Sequence, residues 1–178
     1  MGDAPSRCGR RASNAAPSLR LQLLLGVAAP DHRTILVFTV APSAPTHEYL
    51  LLRRSRSRGG YWQGVNGVVE PGEALDDAAV RELRKATGLA PSRLLPVDYH
   101  YVLPGRKRVP ASVPPGQQVI EHVFLALLGA KVDPTIDSSE HDAWDWYHFE
   151  DALLWLRWPE NIEGLRRCEG LLSPSPPA

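Results

Sequence analysis

Three groups of side chains in this 178-residue chain have the chemistry to build a site. The first is a cationic run, Arg53, Arg54, Arg56 and Arg58, interleaved with Ser55, Ser57, Gly59 and Gly60. Guanidinium groups on a loop rich in serine and glycine can cradle phosphate, and they are equally at home on a solvated strand end. The second is Glu121, which shares one strand face with Val119, Val123, Leu125 and Leu127. A carboxylate among aliphatic neighbours must be compensated, so it is either an acid paired to arginine at the edge of the core or a ligand facing a cleft. The third is Glu73, Arg81 and Glu82, the residues left for chemistry once an apolar stripe has been drawn through Gly67–Leu89.

That stretch, GVVEPGEALDDAAVRELRKATGL, reads as a loop feeding a helix. Pro71-Gly72 punctuates the loop. Asp76 and Asp77 fall in the first helical turn and Arg84 and Lys85 in the last, each sign where the helix dipole favours it. Gly88 supplies a left-handed stop. Leu75, Ala79, Leu83 and Ala86 form a narrow stripe of mostly small residues able to pack close to a sheet. On the N-terminal side, Thr34–Val40 and Glu48–Arg53 are β-branched or apolar runs that predict adjacent strands. Tyr61 and Trp62 follow, either packed under the loop or stacked on a base. On the C-terminal side the pattern predicts strands over Pro96–Val102 and Gln118–Leu128. Between them lies a basic, proline-bounded insertion around Arg106-Lys107-Arg108, a ligand-covering loop or an ordinary hairpin connection. Trp144 and Trp146 alternate on one face as core residues, and the chain closes with a helix from about Pro159 to Leu172. His141 is a structural histidine or a general base.

The stretch resembles the Nudix box of pyrophosphohydrolases. Gly67, Glu73, Arg81, Glu82, Leu83, Gly88 and Leu89 match that pattern at its spacing, whereas Lys85 and Ala86 stand where it has two adjacent glutamates. The resemblance implies an α/β/α Nudix sandwich with a mixed β-sheet and the loop-helix. It also implies hydrolysis of a pyrophosphate bond in a nucleotide substrate, with Mg²⁺ or Mn²⁺ as cofactor. At about 100° per residue, positions 82, 85 and 86 lie within roughly a 100° arc, so three carboxylates there could converge on one cation. Here that face carries a glutamate, a lysine and an alanine, with no net formal charge. Residue by residue, the resemblance makes Glu82, Glu73 and Arg81 the catalytic set, Glu82 as ligand or base and Arg81 with Glu73 as the brace between loop and helix. It makes Glu82 and Glu121 the metal ligands, with Glu70 and Glu140 as further acids that could gather the ion. Arg53 and Arg54 would hold phosphate, and Trp62 joins them as a substrate-binding candidate on the reading in which it stacks on a base. Gln118–Leu128, the Glu140-His141 step and the closing helix are similar to dihydroneopterin triphosphate pyrophosphatases.

Two functional classes follow. One is a hydrolase of a nucleoside-diphosphate-linked compound or of a pterin or nucleoside triphosphate, impaired at Lys85 and Ala86. The other is a Nudix-fold nucleotide-binding or regulatory module that does not turn over. Nucleic-acid binding through the two basic clusters is the weakest reading, because no aromatics interleave the second. Lys plus Arg equal Asp plus Glu at 20 each, so no global field points to nucleic acid or to a membrane surface. Cys8 and Cys168 lie at opposite ends in unrelated contexts, which argues against a disulfide framework and favours a reducing cytoplasm. Residues 1–30 read as a flexible extension, 31–172 as the domain and 173–178 as a disordered tail. Whether two copies pair as a homodimer is left open.

Overall fold

The structure, a computed structural model, describes residues 32–104, 110, 113–114 and 117–172. The expected extension and tail, and most of the basic insertion, lie outside the described residues. Among the described residues seven strands run in chain order as β1 (His32–Ser43), β2 (Thr46–Arg54), β3 (Trp62–Gln63), β4 (Val65–Val68), β5 (Arg93–Val102), β6 (Val119–Leu127) and β7 (His141–Tyr147). The α-helices described with them are α1 (Leu75–Thr87) between β4 and β5, then α2 (Phe149–Trp155) and α3 (Pro159–Leu172) after β7.

β1 is the axis of the sheet. Its run Ile35-Leu36-Val37-Phe38 is apolar without alternation because both faces are covered. Ile35 and Val37 join Leu50, Leu52, Leu83, Phe124 and Trp146 in the layer beneath α1. Leu36 and Phe38 join Tyr49, Leu51, Val123, Leu125 and Leu165 in the layer beneath α2 and α3. On one edge β1 pairs in parallel with β6, which pairs antiparallel with β5. The result is a mixed sheet between two helical layers, the α/β/α sandwich that the resemblance implies.

The other edge of β1 is shared, and this creates the cleft. β2 pairs antiparallel with β1 over Thr39–Ser43, while β4 pairs antiparallel over Thr34–Val37. β2 therefore parts from β1 beyond Leu50, continues with β7 and β3 on its flanks, and leaves β4 to take its place. Both short strands are additions to what the sequence pattern predicts.

Helix α1 forms as its local chemistry requires. Asp76 and Asp77 occupy the first turn and Arg84 and Lys85 the last, and Gly88 ends the helix at φ 71° with its N–H donating to the Arg84 carbonyl at 2.8 Å. Ala78, Ala79 and Leu83 are fully buried against the sheet. Among the described residues no helix is long and apolar enough to cross a membrane. Leu83 anchors α1, so Leu83→Ala is expected to destabilise the protein by about 2–5 kcal/mol. Denaturant melts of the purified variant check this; a loss below about 0.5 kcal/mol would mean that α1 is not held by this contact.

Candidate active site

Where β2 and β4 separate, a cleft of about 500 Å³ opens. Arg54, Arg58, Tyr61 and Gln63 line it from β2, β3 and the turn between them; Asn66, Gly67 and Val68 come from β4, Glu82 and Lys85 from α1. Thr34, Glu121 and Glu140 complete the polar lining.

The loop before α1 is held by one guanidinium. Arg81 donates to Glu73 from Nε at 2.7 Å and from Nη2 at 2.8 Å, and Nη2 also donates to the Val68 carbonyl at 2.9 Å. The Glu70 backbone N–H donates to Glu73 at 2.9 Å. Hydrogen bonds from Arg81 and then from that N–H hold the Glu73 carboxyl down at about 2. Glu73 thus stays ionised at any ordinary pH and ties the loop 68–73 to the helix. Glu70 itself is exposed and lies outside the cleft lining.

Arg81 also positions Glu82. Its Nη1 donates to Glu82 Oε1, and Lys85 Nζ stands 3.5 Å from Glu82 Oε2. Glu82 is 8% exposed, and its side chain passes against Gly67, where a Cβ would overlap it. Gly67 is therefore required by close approach, since any other residue would displace this carboxylate. Ala86, one residue past Lys85, packs partly against the core beneath α1.

Glu121, 1% exposed, is the floor of the cleft. Parallel pairing sets it beside Thr34 on β1 and antiparallel pairing beside Tyr101 on β5. Asn66 Nδ2 donates to Oε1 at 2.9 Å, Thr34 Oγ1 donates to the same oxygen at 3.4 Å, and the Tyr101 hydroxyl donates to Oε2. The same hydroxyl lies 3.0 Å from Asn161 Oδ1 of α3, a second acceptor for its proton. The partners that a buried carboxylate requires thus include these neutral donors. Asn66, Thr34, Tyr101 and Asn161 are absent from the sequence-derived site; the register that gathers them is fixed only once the strands pair.

The two neighbouring arginines part company. Arg54 faces the cleft, where Nη1 donates to Glu140 at 3.0 Å and the buried Nε has no hydrogen-bond partner among the described residues. Arg53 points to the opposite face, donating from Nε to Asp142 at 2.6 Å with its guanidinium 5.9 Å from the Trp62 ring. Successive strand residues face opposite ways, so one arginine at most could enter the cleft. Trp62 is likewise outside the cleft lining, packed edge-on against Tyr147 with ring centroids 5.7 Å apart and tilted against Trp155 at the same distance. Arg58 replaces Arg53 as the second guanidinium at the cleft.

His141 is buried behind this wall, in a small recess shared with Asn66, Glu82, Lys85 and Ala86, and neither ring nitrogen has a partner among the described residues. Burial and then the Arg54 charge pull its imidazole down to about 4. It is neutral at physiological pH.

Residues 31–168 match the family model of the NUDIX domain, and the chain belongs to that family. Over 126 residues it is 35% identical to an octanoyltransferase of Myxococcus xanthus, a match that covers 71% of this chain. The match takes in 33% of that protein, so the chain spans about a third of the length of the curated relative. Among solved structures, it is similar to an Ap4A hydrolase of C. elegans, 25% identical with a TM-score of 0.64, covering 79% of this chain and 97% of that one. It also superposes on the dihydroneopterin triphosphate pyrophosphohydrolase of E. coli with a TM-score of 0.65, at 23% identity over 76% of this chain and 92% of that one, which shows a shared fold.

Nudix hydrolases generally use divalent metals such as Mg²⁺ or Mn²⁺. A hard dication takes about six oxygen ligands. Glu82 is engaged by Arg81 and Lys85, Glu140 by Arg54, and Glu121 by Asn66, Thr34 and Tyr101. Among the described residues no cluster of three acidic, histidine or cysteine side chains has metal-binding geometry. In this arrangement the cleft does not fit such an ion.

The neutral His141 has a pH signature. Below the ordinary imidazole value near 6.5 the unfolded chain takes up a proton that the folded protein refuses until about pH 4. Its contribution to stability is therefore complete above pH 6.5 and is lost as pH falls through that window. His141→Gln should flatten the dependence of melting temperature on pH between about 6.5 and 4. An unchanged slope would place the titrating group elsewhere.

Proposed function

We propose that the cleft binds a nucleoside diphosphate joined to a further group, or a nucleoside or pterin triphosphate, and that it hydrolyses the pyrophosphate bond slowly. The observation that carries this is the pairing of Glu82 with both Arg81 and Lys85. The carboxylate best placed to ligate a metal or accept a proton from water is neutralised by two cations of its own helix. Arg81 with Glu73 acts as the brace, and Glu82 and Glu121 are the residues through which any residual activity would run. Arg54 takes the phosphate-binding role, with Arg58 beside it.

The Ap4A hydrolase named above acts on a dinucleoside polyphosphate, which is the substrate shape this reading carries over. Octanoyl transfer is not favoured. The match takes in a third of that relative, and among the described residues the free cysteine, Cys168, is buried in the layer beneath α3 with its thiol pushed up by burial. The second reading, a binding module without turnover, rests on the same ion pairs and differs only in the residual rate.

Losing one charge contact to a transition state reduces rates by about 10²–10³. Diadenosine tetraphosphate, ADP-ribose, nucleoside triphosphates and dihydroneopterin triphosphate, each with Mg²⁺ and Mn²⁺, form the test panel. The wild type is expected to turn over at least one of them about 10² or more below the double variant Lys85→Glu with Ala86→Glu. A wild-type rate in the ordinary enzyme range of about 1–10³ s⁻¹ would overturn the impaired-site reading. Ligand-dependent rises in melting temperature with no product from the wild type would leave the binding module as the function.

A further inference from the structure

We propose that the cleft binds a diphosphate without any divalent cation, with the Lys85 ammonium supplying positive charge where the family's metal would otherwise bridge carboxylates to phosphate. The inference rests on the nucleotide-binding reading above and concerns how that binding is achieved.

The geometry points to Lys85 as a cation available to a ligand. Its side chain is 59% exposed and lines the cleft beside the nearly buried Glu82. At 3.5 Å from Glu82 Oε2 the ammonium is a loose partner, not a locked one, and it carries three donors. Arg81 keeps its own hold on Oε1 when Lys85 turns away. Lys85 can therefore turn toward an anion without stranding a buried carboxylate.

Two guanidinium groups share the cleft with it. Arg54 spends Nη1 on Glu140 and keeps a buried Nε without a partner among the described residues, and Arg58 lines the same space. Among the described residues, three cationic side chains therefore share the cleft with the carboxylates Glu82, Glu121 and Glu140. A cleft with glutamates at positions 85 and 86 would be strongly acidic and would repel phosphate until a dication was bound. Here the lysine offsets that repulsion in advance, and the engaged carboxylates offer a metal little.

Titration calorimetry of the full chain with ADP-ribose, in EDTA and in millimolar MgCl₂, tests this. The expected dissociation constant in EDTA lies within about threefold of that in MgCl₂, less than half the free energy of a tenfold change. Lys85→Met should weaken binding in EDTA by roughly ten- to a hundredfold, as for loss of a charged hydrogen bond, and Lys85→Arg should largely preserve it. Melting curves confirm that the exposed substitution leaves the fold intact. Binding that appears only with Mg²⁺, or a Lys85→Met variant with wild-type affinity in EDTA, would overturn the inference while leaving nucleotide binding in place. No binding of ADP-ribose under either condition would overturn the inference, and no melting shift with any member of the panel above would remove the nucleotide-binding reading as well.

Discussion

The site depends on what a single guanidinium holds together. Arg81 lies on the rim of α1 and reaches across to the loop, closing a planar two-point contact with Glu73 and capturing the Val68 carbonyl at the end of β4. Arginine suits this because its donors are fixed in a fork, so one side chain can fix a helix, a loop and a strand relative to one another. The remaining Nη1 then orients Glu82 across the notch left by Gly67. Packing beneath α1 places the helix, and Arg81 sets which way its acid points.

That arrangement sets position 85 beside the acid of α1. Glu82 is nearly buried, so its charge must be answered nearby. In a chain where acids followed it on the same face, a metal ion would have to answer for several carboxylates. Here Lys85 and Arg81 answer for one. On the floor of the cleft, Glu121 accepts from an amide and two hydroxyls.

Much of the fold was legible in the sequence. The unbroken apolar run of β1 belongs to a strand covered on both faces, and the charges and Gly88 of α1 mark both of its ends. The site was legible only in part. β3 and β4, at two and four residues, are too short to show alternation, and their pairing is imposed by the edges of β2 and β1. Arg53 and Arg54 look like one cationic unit until β2 is seen to continue through both, which sends them to opposite faces. The surroundings of Glu121 were hidden because an irregularity between Pro96 and His100 shifts the register of β5, so no count along the chain places Tyr101 beside it.

The central claim is that protein cations have replaced the metal at this cleft. Anomalous scattering from crystals grown with ADP-ribose and excess Mn²⁺ tests it most directly. The account predicts Lys85 Nζ in hydrogen-bond contact with a phosphate oxygen and no Mn²⁺ peak between Glu82 and Glu121. A fully coordinated Mn²⁺ on Glu82, with Lys85 turned out to solvent, would contradict it.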